Sequence, residues 1–204
     1  MAWPQCGAVG ITRNVTHEQF EAIREGSHPE TGEFLRPRHG ADRTNGDGSE
    51  LSKARSLYDL TFSAPKSVSV QAIVGGDERL VAAHDKAVRE ALAEAEIHAA
   101  ARVRLNGANE DRTTANFAVA SYRHGTSREL DPQLHTHAVA ANLTHDGAEG
   151  RWKALQASGL YERRAYLTEV YRNALAREVR GLGYEIESRR DPKGKDHGFE
   201  IRGV

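Results

Sequence analysis

The sequence predicts an α+β fold, a central antiparallel β-sheet with helices packed on it. Three observations carry this. Short runs rich in β-branched and aromatic residues follow one another along the chain, helical stripes lie between some of them rather than after each, and turn residues mark the boundaries. The regular strand–helix alternation of a parallel sheet is missing. A length of 204 residues fits one domain, residues 1–204.

Thr16 caps a short helix over Thr16 to Ile23. Ser27 to Gly32 is a turn, and residues 39–50, rich in Gly, Asp and Asn, read as a flexible loop. Leu57 to Phe62 is a strand ended by Ser63-Ala64-Pro65, and Lys66 to Val74 is a helix closed by Gly75-Gly76. Val81, Val88, Leu92, Ala95, Ala99 and Val103 recur at helical spacing, predicting a long helix over Glu78 to Leu105 with Asn106-Gly107 as its stop. Strands follow at Asn116 to His124, Leu134 to Thr144 and Trp152 to Leu155. Leu160, Leu167, Tyr171, Leu175, Val179 and Leu182 mark a second long helix, which Gly181 and Gly183 end. Tyr184 to Glu187 and Phe199 to Arg202 flank Asp191-Pro192-Lys193-Gly194, a hairpin signal.

Hydrophobic residues make up 38% of the chain, with no apolar run near the ~20 residues of a bilayer span. A membrane partner is therefore not expected. A lone Cys6 and an N-terminus without signal-peptide character point to the reducing cytoplasm. The net charge of −1 argues against a polybasic domain that coats duplex DNA, so any nucleic-acid site must be local. The basic excess lies between Arg112 and Arg180.

His135-Thr136-His137 sits within a strand, where side chains two apart share one face about 6 to 7 Å apart. If the preceding strand pairs antiparallel through a short connection, His124 comes beside His135 and three imidazoles converge. Such a site leaves open positions for water or phosphate oxygen. Softness favours Zn, Cu, Ni or Fe, while Mg or Mn become acceptable when phosphate adds oxygen ligands. Solvent-facing or hydrogen-bonded histidines are the competing reading. Asp59 stands mid-strand, where a carboxylate either orients a ligating imidazole, acts as a base, or is satisfied by backbone or Arg on an edge strand. Lys66 follows Ser63-Ala64-Pro65 in a first helical turn, where free N–H groups and a cation can meet a phosphate.

Asp59-Leu60-Thr61-Phe62-Ser63-Ala64-Pro65-Lys66-Ser67-Val68-Ser69 and Asp131-Pro132-Gln133-Leu134-His135-Thr136-His137 resemble the two signature segments of conjugative relaxases of the TrwC/TraI type, the MobF class. Gly75-Gly76-Asp77-Glu78, His84-Asp85, Tyr122-Arg123-His124, Thr126-Ser127-Arg128 and Leu182-Gly183-Tyr184-Glu185-Ile186 are similar as well, and the likeness runs from about Asn14 to the end. It implies an HUH endonuclease with a palm-like fold, a five-stranded antiparallel sheet and a divalent ion, Mg or Mn in function, held by His124, His135 and His137. Asp59 would be the acidic residue that orients the site. The implied activity is metal-dependent, site- and strand-specific nicking and transesterification of single-stranded DNA at an origin of transfer in a bacterial cytoplasm, with other relaxosome proteins as partners. Arg123, Arg128, Arg151 and Lys66 are the expected DNA contacts.

The family's nucleophilic tyrosines lie near its N-terminus, and this chain has no Tyr before Tyr58. The expectation is a domain truncated at its N-terminus, lacking the first strand, the nucleophile and a C-terminal helicase, and inactive alone in nicking. A nuclease-dead origin-binding module is one alternative. Another is a Rep-like nuclease using Tyr161 or Tyr166, although a spacing of five turns successive tyrosines ~140° apart and core packing is the expected role of this set with Tyr171. A three-histidine zinc hydrolase is the remaining class, which the Asp59 to Ser69 segment disfavours.

Overall fold

The computed structural model describes residues 15–35, 55–194 and 196–204; the expected loop 39–50 lies outside them. In order, the elements are α1 (His17–Arg24), β1 (Leu57–Ser63), α2 (Lys66–Ile73), α3 (Glu78–Ile97), β2 (Ala100–Leu105), β3 (Ala108–Thr113), β4 (Val119–Thr126), β5 (Pro132–Ala141), β6 (Thr144–Asp146), β7 (Arg151–Lys153), α4 (Ser158–Glu162), α5 (Arg164–Gly181), β8 (Ile186–Arg190) and β9 (Asp196–Ile201). The class is mixed α+β with antiparallel sheets, as the sequence predicts.

A three-stranded sheet in the order β1-β5-β4 holds the signature segments. Ala64 N–H donates to Leu134 O and Asn142 N–H to Ser56 O, so β1 and β5 run antiparallel; Ser127–Asp131 and Ala141–Ala118 bonds show the same for β4 and β5. The resemblance implies five strands here, and the described residues supply three. The others pair among themselves, β2 with β3, β6 with β7 and β8 with β9.

The long helix is shorter than its apolar spacing predicts. It ends at Ile97, and Ala100 to Leu105 is a strand. Asn106 (φ 50°) and Gly107 (φ 85°) form a two-residue connection with both residues in the left-handed region, which the right-handed twist of a hairpin requires. Ala99 and Val103 thus continue a helical spacing by coincidence. The second long helix is likewise divided, α4 from α5, and the predicted Leu134 to Thr144 strand breaks after Ala141.

The chain forms two units. One comprises Met1–Asp59, Ile97–Ala120 and Val139–Gly159, the other Leu60–Glu96, Ser121–Ala138 and Leu160–Val204. In the first, the Thr16 hydroxyl accepts from Gln19 N–H while the Gln19 side chain accepts from Thr16 N–H, a capping box that starts α1. Ile23 of that helix packs with Ala141 and Leu143, flanked by Leu35, Leu57, Ala118 and Trp152. Asp146, buried, takes Arg112 and Lys153 as ion partners at 2.9 and 3.0 Å.

In the second unit Leu80, Ala87, Val88 and Ala91 form the buried stripe of α3, and Leu167, Tyr171, Leu175 and Val179 that of α5. Asp77 caps α3 by accepting from Arg79 N–H. At the end of α5, Gly183 N–H donates to Arg180 O and Tyr184 N–H to Val179 O, with Gly183 at φ 92°, a Schellman motif.

Candidate metal and DNA site

Period-2 alternation decides the two faces of β5. Leu134, Thr136, Ala138 and Ala140 are buried, while His135 and His137 are half-buried on the opposite face. His124, from β4, joins them. Ring centres lie 5.3 Å apart for His124 and His135, 5.7 Å for His124 and His137, and 5.2 Å for His135 and His137. Gly125, next to His124, leaves room for Ile73 of α2; a Cβ there would meet its Cδ1 at 3.2 Å.

Two rings have an outer anchor. His135 Nδ1 is 2.9 Å from Gln133 O, which can only accept, so Nδ1 carries the proton and Nε2 the lone pair. His137 Nδ1 lies 3.3 Å from Thr61 Oγ1. Ligating histidines are oriented by such bonds through the nitrogen that does not bind the ion. Among the described residues, however, no three His, Cys, Asp or Glu side chains have their donor atoms already gathered around one point.

Asp59 is exposed on β1, on the face it shares with Thr61, whereas Phe62 points into the core against Tyr171 at 5.4 Å. Lys66 donates to Pro132 O at 3.1 Å. The first turn of α2 is not open as expected: Ser67 N–H and Oγ both donate to Glu200 Oε2, at 2.9 and 2.6 Å. A carboxylate from β9 therefore meets the helix end where the sequence suggested a phosphate. Ser69 Oγ accepts from Leu134 N–H, so the same segment fixes the start of β5. Arg123 pairs with Asp85, Arg151 pairs with Glu149, and Arg128 is exposed in the β4–β5 connection.

The downstream tyrosines correct one expectation. Tyr171 packs in the core, and burial pushes its hydroxyl pKa up. Tyr161 and Tyr166 do not, being 62% and 51% exposed. Tyr166 donates to Glu94 at 2.9 Å, and that bond raises its pKa.

Sequence reasoning named His84 only within the family likeness and gave it no role. It is fully buried on α3, with Nδ1 2.8 Å from Tyr171 Oη and Nε2 2.8 Å from Thr136 Oγ1. Its signal was an imidazole at the centre of an apolar stripe, four residues after Leu80 and four before Val88.

The mixed α+β architecture is shared with solved conjugative relaxases. The TrwC relaxase in its metal-bound complex with origin-of-transfer DNA superposes with a TM-score of 0.78 at 37% identity, over 96% of this chain and 63% of that one. A copper-bound complex gives the same TM-score and identity over 62% of that chain, and TrwC with a 27-mer bearing the recognition hairpin and cleavage site gives 0.77 over 65%. The TrwC relaxase family model matches residues 4–204, and the chain belongs to that family. The multifunctional conjugation protein TraI of Escherichia coli K12 is 37% identical over 99% of this chain, and a second Escherichia coli TraI is 38% identical. This chain spans 11% of the length of those two proteins. Among the described residues no helix is long and apolar enough to cross a membrane.

Proposed function

We propose that this chain is the single-stranded-DNA-binding and strand-transfer core of a conjugative relaxase, acting at an origin of transfer, with His124, His135 and His137 as ligands of a divalent ion. The spacing of the three rings carries the reading. An ion about 2 Å from each nitrogen lies about 3.2 Å from each ring centre, so three ligands at tetrahedral angles put the centres about 5 Å apart. The centres here are 5.2 to 5.7 Å apart. Ring rotation then completes the site, and the Gln133 and Thr61 anchors favour Nε2 as the binding atom of His135 and His137. The bound ion would supply polarisation of the scissile phosphate. Asp59, on the face of β1 that carries Thr61, is proposed to orient this cluster. Mg or Mn suits the phosphate chemistry, and Zn, Ni or Cu suits the imidazoles; the metal-bound and copper-bound TrwC structures support a divalent ion.

Metal titration by calorimetry, with Mn and Cu in turn, tests the site. The expected result is one ion per chain, lost in His137→Ala and His135→Ala. Unchanged affinity in both variants would refute the assignment.

Strand transfer further needs an attacking oxygen ~3 to 3.5 Å from phosphorus and in line with the leaving oxygen. Tyr58 lies on the face of β1 opposite Asp59, Tyr122 is held on β4 only two residues from His124, Tyr171 is buried, and Tyr184 donates to Asp77. A polypeptide of these 204 residues is therefore expected to bind an oligonucleotide without forming a tyrosyl adduct. Tyr161 and Tyr166, both exposed, are the residues through which the Rep-like alternative would act. A protease-sensitive adduct abolished by Tyr161→Phe or Tyr166→Phe would establish it.

A further inference from the structure

We propose that His84 is a positioning residue for the histidine pair, acting through Thr136. The inference rests on the metal-site reading above. Thr136 is the residue between His135 and His137, and alternation turns its side chain to the buried face. There its hydroxyl meets His84 Nε2 at 2.8 Å, and the His84 ring is fixed from behind by Tyr171 Oη at 2.8 Å and by edge-on packing at 5.7 Å. One residue before His135, Leu134 N–H is held by Ser69 Oγ and Leu134 O by Ala64 N–H. The backbone that carries both imidazoles is thus held on either side by bonds of fixed length and direction.

Packing alone does not call for this arrangement. A buried imidazole and two buried hydroxyls cost desolvation, and a Leu–Val pair would fill the core without it. What hydrogen bonds add is direction: dispersion tolerates sliding and rotation, whereas a satisfied polar network specifies one geometry. A strand that must aim two rings at one ion within a few tenths of an ångström gains from that constraint.

The test compares Thr136→Ser, which keeps the hydroxyl, with Thr136→Val, which keeps the shape, and with the double variant His84→Leu/Thr136→Val. Replacing both partners by apolar groups removes the unpaired imidazole, and Tyr171→Phe added to that double variant removes the hydroxyl that His84 had met. The readouts are Mn and Cu affinity and, in metal-free protein, the ring nitrogen shifts of His135 and His137. Thr136→Ser should bind as the parent does. Thr136→Val and the double variant should each bind about tenfold more weakly, the range for loss of an outer support, with displaced ring shifts, even where the double variant melts like the parent. Parent-like affinity and shifts in the double variant would overturn the inference while leaving the site intact. Absence of binding by the parent, or binding insensitive to His137→Ala, would instead overturn the site reading and this inference with it.

Discussion

Acidification should destabilise this protein through His84, starting near pH 6.5, above the range in which carboxylates begin to take up protons. Burial, with smaller contributions from Arg123 and His135, pushes the His84 pKa down to about 4 from an ordinary 6.5. In the unfolded chain the imidazole takes up its proton near 6.5, while the folded protein resists until about 4. Between those values the unfolded state binds more protons, so stability rises with pH and falls on acidification. At about 1.4 kcal/mol per pH unit, the window of roughly 2.5 units gives a loss of about 3 kcal/mol by pH 4. That is a large share of the ~5 to 15 kcal/mol that a typical domain has. Urea unfolding between pH 7 and pH 4, in the parent and in His84→Gln, isolates the term. The parent should lose stability steadily below pH 6.5, whereas His84→Gln should start lower and change less. Parallel slopes in the two proteins would refute the reasoning.

Asp146 governs a lower window. Burial alone would raise its pKa, but hydrogen bonds from Lys153, Arg112 and the Glu149 and Ala148 N–H groups outweigh it and hold the carboxyl down at about 2. Its contribution is present above 3.8 and lost as pH falls through about 2; Asp146→Asn should cost about 3 kcal/mol at pH 7, because Arg112 and Lys153 lose their buried partner, measured by thermal melts. Gly183→Ala, at φ 92°, should cost about 1 kcal/mol by the same assay. Single-stranded DNA affinity, followed by fluorescence anisotropy, should fall with salt and fall further in Arg128→Ala; affinity that is flat with salt would refute a phosphate-based contact.

The histidine cluster was legible because its geometry is local. Period-2 alternation and a short β4–β5 connection need no knowledge of the rest of the fold, and the rings of His124, His135 and His137 do stand together. The β2–β3 hairpin was illegible for the opposite reason. Its second strand, Ala-Asn-Glu-Asp-Arg-Thr, has no apolar alternation and buries almost nothing, so only Asn106-Gly107 announced it, and that pair also reads as a helix stop. Core packing is the expected role of Tyr161 and Tyr166 together with Tyr171, but the helix breaks after Glu162 and both stand at the surface. His84 depends on partners 52 and 87 residues away, a distance no helical pattern encodes.

Charge imposes a constraint of its own on the proposed DNA chemistry. A chain of net charge −1 attracts a polyanion only locally, and the cations differ in what they are already paired with. Arg123 is paired with Asp85 and Arg151 with Glu149, whereas Lys66 donates to the Pro132 carbonyl. Exposed pairs of this kind are worth about 0 to 1 kcal/mol, so a phosphate can replace the carboxylate at little cost, but the attraction is reduced by whatever the carboxylate had supplied. Arg128 has a different setting. Its connection is shaped by Ser127, whose hydroxyl accepts from Glu129 and Asp131 N–H groups, with Leu130 held at φ 65°. That ordered turn joins the strand of His124 to the strand of His135 and carries an exposed guanidinium. On the proposed function, Arg128 would offer a phosphate a guanidinium on an ordered turn, while Arg123 would first have to part from Asp85.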